Sequence, residues 1–370
     1  MAVKHRLVFK NKKKTVGRLL ILILPVLLLV GIIVGAVKLF NSCSLAASKR
    51  SLPFAASVEN AYTGDGFIYM DGSELKYMSL KDEGKNYSIS VSTPTAKLMG
   101  TGSIKVVYNT RALQIIGTQY DIDGSGQIEK LCCGGGFVAV CRKDDSGKRT
   151  LRAYDTTGSQ CCQLDFTDTV LTDFGFESGS SSVLWTSELI TTGNSITTTI
   201  TIYDLGRSST TGVISVQGQL VKDVYITGDS IFAVCTENII RFDRRSNSEA
   251  YRLLSYGYDC VSCSFKDGRA LFVLREEDGG KNSVRLLSVS EKSVANEKSS
   301  LIILPEGTLN YFAMDGRFIV AASEGLLIYN VNGERTKDVA FDHAVTSAEK
   351  LDERNILIKR GEEAMLYTLK

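Results

Sequence analysis

The chain has 370 residues, 44% of them apolar and 23% charged, with 4 prolines, 9 cysteines, 2 histidines and 1 tryptophan, a composition that excludes a disordered or collagenous polypeptide. The net charge of +2 conceals a split: 10 of the 43 basic residues fall in the first fifty positions beside no acid, so 33 basic residues face 41 acidic ones beyond, a net of −8. An acidic main domain excludes nucleic acid as its partner, because phosphate binding requires clustered Lys and Arg.

Residues 1–18 form a basic tail that includes Lys4, Arg6, Lys10, Lys12, Lys13, Lys14 and Arg18. Leu19 to Val37 is a run of nineteen uncharged, mostly apolar residues, about 28 Å long as a helix. The sequence therefore predicts one transmembrane helix over residues 19–40, and the basic excess before it places the N-terminus in the cytoplasm and the rest of the chain outside, at the cell membrane. A cleaved signal peptide ending near Ser44-Leu45-Ala46 would have a shorter apolar core, and the residues before Cys43 are wrong for a lipoprotein. Gly31 and Gly35 form a GxxxG pair that would let two such helices self-associate. Residues 41–50 read as a linker and 51–370 as an extracytoplasmic domain.

Beyond Ser51 short β-branched and aromatic runs recur between Gly/Asp turns. A turn followed by an apolar strand occurs eight times: Asp65-Gly66 then FIYM, Gly102-Ser103 then IKVVY, Gly135-Gly136 then FVAVC, Ser181-Ser182 then VLW, Asp229-Ser230 then IFAVC, Gly268-Arg269 then ALFVL, Gly316-Arg317 then FIVAA, and Arg354-Asn355 then ILIK. Each is followed by a second strand, often ending in a Tyr-Asp-like pair, such as LRAYD from Leu151 and ITIYD from Ile200. The mean period is about 41 residues, that of four-stranded propeller blades. The predicted fold is all-β, a propeller of eight blades, or of seven if the compressed second repeat or the expanded fourth is only an irregular hairpin. The last repeat stops after three strands, so Ser51 to Ala56 is expected to supply the fourth and clasp the ring.

The order of basic tail, apolar helix and degenerate repeats resembles the uncharacterised single-pass, membrane-anchored β-propeller proteins of clostridial Gram-positive bacteria. The resemblance spans the whole chain and implies an extracytoplasmic propeller; it brings no catalytic residues. The repeats also loosely resemble quinoprotein-type and WD-repeat propellers, which carry a tryptophan in most blades, whereas Trp185 stands alone here.

His5 lies in the tail and His343 alone in the domain, which rules out a multi-histidine metal site and leaves His343 as a turn or strand-edge residue. Adjacent strand residues face opposite ways, so Cys132/Cys133 and Cys161/Cys162 are not chelating pairs, and the odd spacing of Cys260 and Cys263 separates those thiols too. Buried free thiols are the expected state, with no zinc. One cofactor candidate remains: Asp121, Asp123, Ser125 and Glu129 match the spacing of a DxDxDGxxD calcium loop with two replacements, against the plain reading of an Asp/Gly turn. Gly134 to Gly136 and the Met99 to Gly102 segment read as hairpin turns rather than phosphate loops, because no helix follows either. The expected function is a membrane-tethered binding or scaffold propeller for an envelope protein or glycan. The alternatives are an envelope sensor or assembly component and a carboxylate-based, glycan-active enzyme.

Overall fold

The computed structural model describes residues 48–369 apart from 92–95, 119–120, 123, 279–281 and 295–296. Among the described residues every sheet is four-stranded, and there are eight. Blades 1 to 7 take their strands from residues 60–90, 97–122, 127–166, 170–217, 221–254, 258–303 and 308–340, each a meander in chain order. Blade 8 is built differently. Its first three strands, Ser347–Lys350, Asn355–Arg360 and Glu363–Thr368, are completed by Ser48–Ala55 as the outermost strand. The clasp expected from the truncated last repeat is thus present, and the eight-blade count holds over seven.

The eight turn-and-strand motifs are the second strands of the blades and the runs that follow them the third. Their uninterrupted apolar character has a simple cause: a middle strand has a paired strand on each side and a neighbouring blade over each face. Ser230–Cys235 is buried at every position and Phe137–Lys143 at the five from Val138 to Arg142. Core clusters accordingly join consecutive blades. Trp185, Ile200 and Ile214 of blade 4 pack with Ile231, Ala233 and Phe242 of blade 5, and Leu52 and Phe54 of the clasp pack with Phe67 of blade 1 and Leu366 of blade 8. Pro53, a residue without an amide hydrogen, sits in that outermost strand where no further strand needs one.

The two repeats flagged as irregular are so. The strands of blade 2 run 4, 4, 3 and 2 residues, whereas Val183–Thr192 and Ser195–Asp204 of blade 4 run 10 each and stay paired to Thr192 and Ser195. At the blade 3 hairpin Gly134 pairs with Phe137 across Gly135 and Gly136, whose φ values of +53° and +85° demand glycine.

The expected transmembrane helix preceding the propeller is corrected. No helix among the described residues is long and apolar enough to cross a membrane, and the one described helix is the single turn Glu83–Lys85. Residues 19–40, with Gly31 and Gly35, lie outside the described residues. Hydropathy meets the length condition for a span but does not by itself establish one, and the described fold is the all-β propeller alone.

Candidate functional site

The chain runs up each first strand and down each second, so the strand 1–2 and 3–4 turns gather on one face and the strand 2–3 turns and blade connections on the other. First strands of neighbouring blades lie side by side, making them the innermost. At the face of the strand 1–2 turns, a pocket of about 490 Å³ opens between blades 8, 1, 2, 3 and 4. Tyr62 to Asp65 line it from blade 1, Gly100 to Ser103 from blade 2, Cys133 from blade 3, Gly179 and Ser180 from blade 4, and Leu351 and Asp352 from blade 8.

Asp352 is the best-held polar group there. Its carboxylate accepts hydrogen bonds from Tyr62 Oη at 2.6 Å, Asn355 Nδ2 at 2.8 Å and the amides of Arg354 and Asn355 at 2.7 Å each. Burial alone would raise its pKa, but these donors outweigh burial and hold the carboxyl below the ordinary carboxylate range, while burial and Asp352 push the Tyr62 phenol up. The Tyr62 to Asp352 bond spans the junction of the first and last blades. Next to Tyr62 on the same wall, Thr63 donates to Asp65 at 2.7 Å. The Cys133 thiol is raised well above its ordinary value by burial, so it is no thiolate nucleophile at neutral pH.

On blades 6 to 8 the charges of this face satisfy one another. Glu353 accepts from Ser264 Oγ at 2.6 Å and from Lys350 Nζ and the Asp315 amide at 2.5 Å each. Asp315 in turn receives Lys266 and Arg317 at 2.7 Å. The pocket on blades 8 to 4 is lined instead by hydroxyls, glycine backbone and two carboxylates and by no Lys or Arg; Asp352 is held by its four donors, and Asp65 by Thr63. The arrangement suits hydrogen bonding to an uncharged or cationic group.

Of the calcium candidates, Asp123 lies outside the described residues. Asp121 pairs in the short outer strand of blade 2 with Gln114, and Ser125 is exposed. Glu129 is committed elsewhere: it accepts from Arg149 Nε at 2.6 Å, with Lys143 at 3.8 Å, and the hydrogen bond from Arg149 keeps its carboxyl below the usual value. The loop carbonyls already face a cation. The buried Arg142 guanidinium donates to the carbonyls of Arg111 at 2.6 Å, Ile122 at 3.1 Å, Gly124 at 3.3 Å and Gly126 at 3.4 Å. His343 is exposed in the loop before Ser347–Lys350.

All eight described cysteines are free thiols. Cys132 and Cys133 pack into different core clusters, as strand alternation requires. Cys260 and Cys263 instead pack into the same one, beside Tyr225 and Phe265. The reason is a β-bulge between Cys260 and Ser262, which inserts Val261 and cancels one step of the alternation. A second bulge, between Ala153 and Tyr154, leaves Cys161 out of register and brings Cys161 and Cys162 to one cluster. The sequence-based separation of both pairs is therefore corrected, and nothing in the residue pattern marks these bulges.

No curated protein matches the chain. Among solved structures it is similar to BamB from Moraxella catarrhalis, at TM-score 0.53 and 11% identity over 88% of this chain and 99% of that one. The Dos1 propeller gives 0.55 and 12%, covering 88% and 95%, and the WD40 domain of SCAP from fission yeast 0.55 and 9%, covering 87% and 94%. At such identities the likeness is one of fold. The profile of one sequence family matches residues 55–304, two thirds of the chain, and the protein accordingly belongs to the family of unknown function DUF5711.

Proposed function

We propose that the protein is a binding or scaffold module that engages an envelope protein or glycan through the pocket face of its ring. The supporting observation is the pocket of about 490 Å³ assembled from the turns of five blades. Such turns are held by rigid sheets, which is where propellers and other scaffolds carry recognition. The pocket's hydroxyls, backbone groups and carboxylates fit a lysine-bearing loop or a polyhydroxyl chain.

A photo-crosslinking residue at Ser103 tests this in the full chain within its own cells. A discrete crosslinked adduct, lost when Asp65 and Asp352 are both replaced by Asn, is the expected result; no adduct from Ser103 together with a discrete one from the outer strand of blade 5 overturns it. A location outside the cytoplasm rests on the charge asymmetry of the first fifty residues alone. Protease added to intact cells digests the propeller if that location is right, and full protection of the propeller in accessible envelopes overturns it.

A further inference from the structure

The face opposite the pocket carries the blade connections and the strand 2–3 turns. Exposed large apolar side chains concentrate there on blades 5 to 7: Leu254 is 71% exposed, Tyr256 71%, Leu301 62% and Ile303 78%, with Val261 and Leu309 at 36% and 40%. Leu254 and Ile303 end the outer strands of blades 5 and 6, Tyr256 follows in the connection to blade 6, and Val261 and Leu309 lie near the starts of the innermost strands of blades 6 and 7. Both of those last residues are the extra residues of β-bulges. Scattered single apolar residues are normal on a surface, but a cluster on one face of consecutive blades marks an interaction site.

Charge narrows the occupant. The strand 2–3 turns and connections of these blades present Glu237, Glu277, Asp278, Glu306 and Glu324, all exposed. Among the described residues the basic side chains beside them are few. Lys222 is held by Asp259 and Glu277 at 2.7 Å each, Arg252 by Glu249 at 2.5 Å, and Arg275 is exposed. The patch is thus apolar with an acidic rim.

We infer that this face docks a polypeptide segment whose apolar side chains cover Leu254, Tyr256, Leu301 and Ile303 while its Lys or Arg side chains meet the acidic rim. Apolar burial would supply most of the affinity and the rim the orientation and encounter rate. A second copy of this chain would bring a second acidic rim against the first, and an anionic membrane surface would be repelled, so neither matches the charge.

Fluorescence anisotropy with the full chain and a labelled peptide of alternating leucines and lysines tests the inference, with alternating leucines and glutamates as control. The leucine–lysine peptide is expected to bind saturably, at least tenfold tighter than the control. Leu254→Asp with Ile303→Asp, both at exposed positions, should weaken it tenfold or more without moving the melting temperature, and Asp278→Lys with Glu306→Lys should weaken it several-fold at low salt but little at high salt. Equal binding of the two peptides, or no loss in the apolar pair of variants, overturns the proposal. So does a concentration-dependent dimer abolished by Ile303→Asp, which would make a second copy the occupant, or binding to zwitterionic lipid vesicles without binding to the peptide. These readouts do not involve the pocket, so failure here leaves the reading of the opposite face untouched, and Asp65→Asn with Asp352→Asn should leave the peptide affinity unchanged.

Discussion

At the scale of the residue, polar side chains in this protein chiefly terminate backbone. The Tyr-Asp-like pairs that punctuate the repeats illustrate it. Asp155 accepts from the Thr157 and Ser159 amides at 2.8 and 3.0 Å, Asp243 from those of Arg245 and Ser246 at 3.0 Å each, and Asn330 from those of Asn332 and Glu334 at 2.9 and 3.1 Å. Each closes the turn after a third strand. Asp352 closes the turn after a first strand, that of blade 8, in the same way and also receives Tyr62, which ties blade 8 to blade 1. Tyr62→Phe should cost about 1 kcal/mol at neutral pH, a modest value because the site is half open to water. Since the Asp352 carboxyl is held below its ordinary value, its contribution is complete above the ordinary carboxylate range and is lost as pH falls through the lowered value. The difference between wild type and Tyr62→Phe should therefore shrink in acid, as urea unfolding at a series of pH values would show. For the Asp121 to Glu129 loop, Arg142 already supplies a cation to its carbonyls, so millimolar calcium should leave the melting temperature unchanged. Arg142→Met, which strands those carbonyls, should destabilise by about 1–3 kcal/mol; a calcium-dependent rise in melting temperature would contradict this account.

At the scale of the element, the outermost strand of blade 8 is the one supplied from the opposite end of the domain. Ser48–Ala55 alternates so that Leu52 and Phe54 are buried while Pro53 faces out. Phe54 meets Phe67 at 5.6 Å and Tyr69 at 4.9 Å between ring centroids, and Ala56 donates to the Glu362 carbonyl at 2.9 Å. A chain beginning at Val58 would expose the edge of Glu363–Thr368 and uncover this cluster. Its melting temperature should fall well below that of a chain beginning at Lys49, and Phe54→Ala within the full chain should cost about 3–5 kcal/mol. Equal melting temperatures for the two chains would mean that the clasp does not stabilise the ring.

At the scale of the whole molecule, closure into a ring covers both faces of most blades, and the thiols record it. Burial raises the thiols of Cys132, Cys133, Cys260 and Cys263, each of which keeps part of its surface open, while Cys141 and Cys235 are buried outright. The native protein should react with a thiol-specific reagent at neutral pH far more slowly than the urea-unfolded chain, measured as label uptake by mass spectrometry. Rapid native labelling at the buried Cys235 would show that the ring opens readily.

The periodicity of turns and apolar strands was enough by itself to specify an all-β propeller with repeats of about 41 residues, two of them irregular in the directions observed, and with the missing strand supplied from the start of the domain; the choice of eight blades over seven was made only by the strand pairing of the irregular repeats. It was enough because a strand buried on both faces must be continuously apolar and its turns must carry Gly, Asp or Asn, so local chemistry writes the repeat directly into the chain. Other features were decided only in three dimensions. The pocket gathers Tyr62, Thr101, Cys133, Ser180 and Asp352 from five blades, and no short segment contains more than one wall of it. The Arg142 cradle depends on a guanidinium reaching back to carbonyls some twenty residues earlier. The bulge at Val261 reverses which face Cys263 occupies, because a single inserted residue offsets a period of two and leaves no mark in residue type.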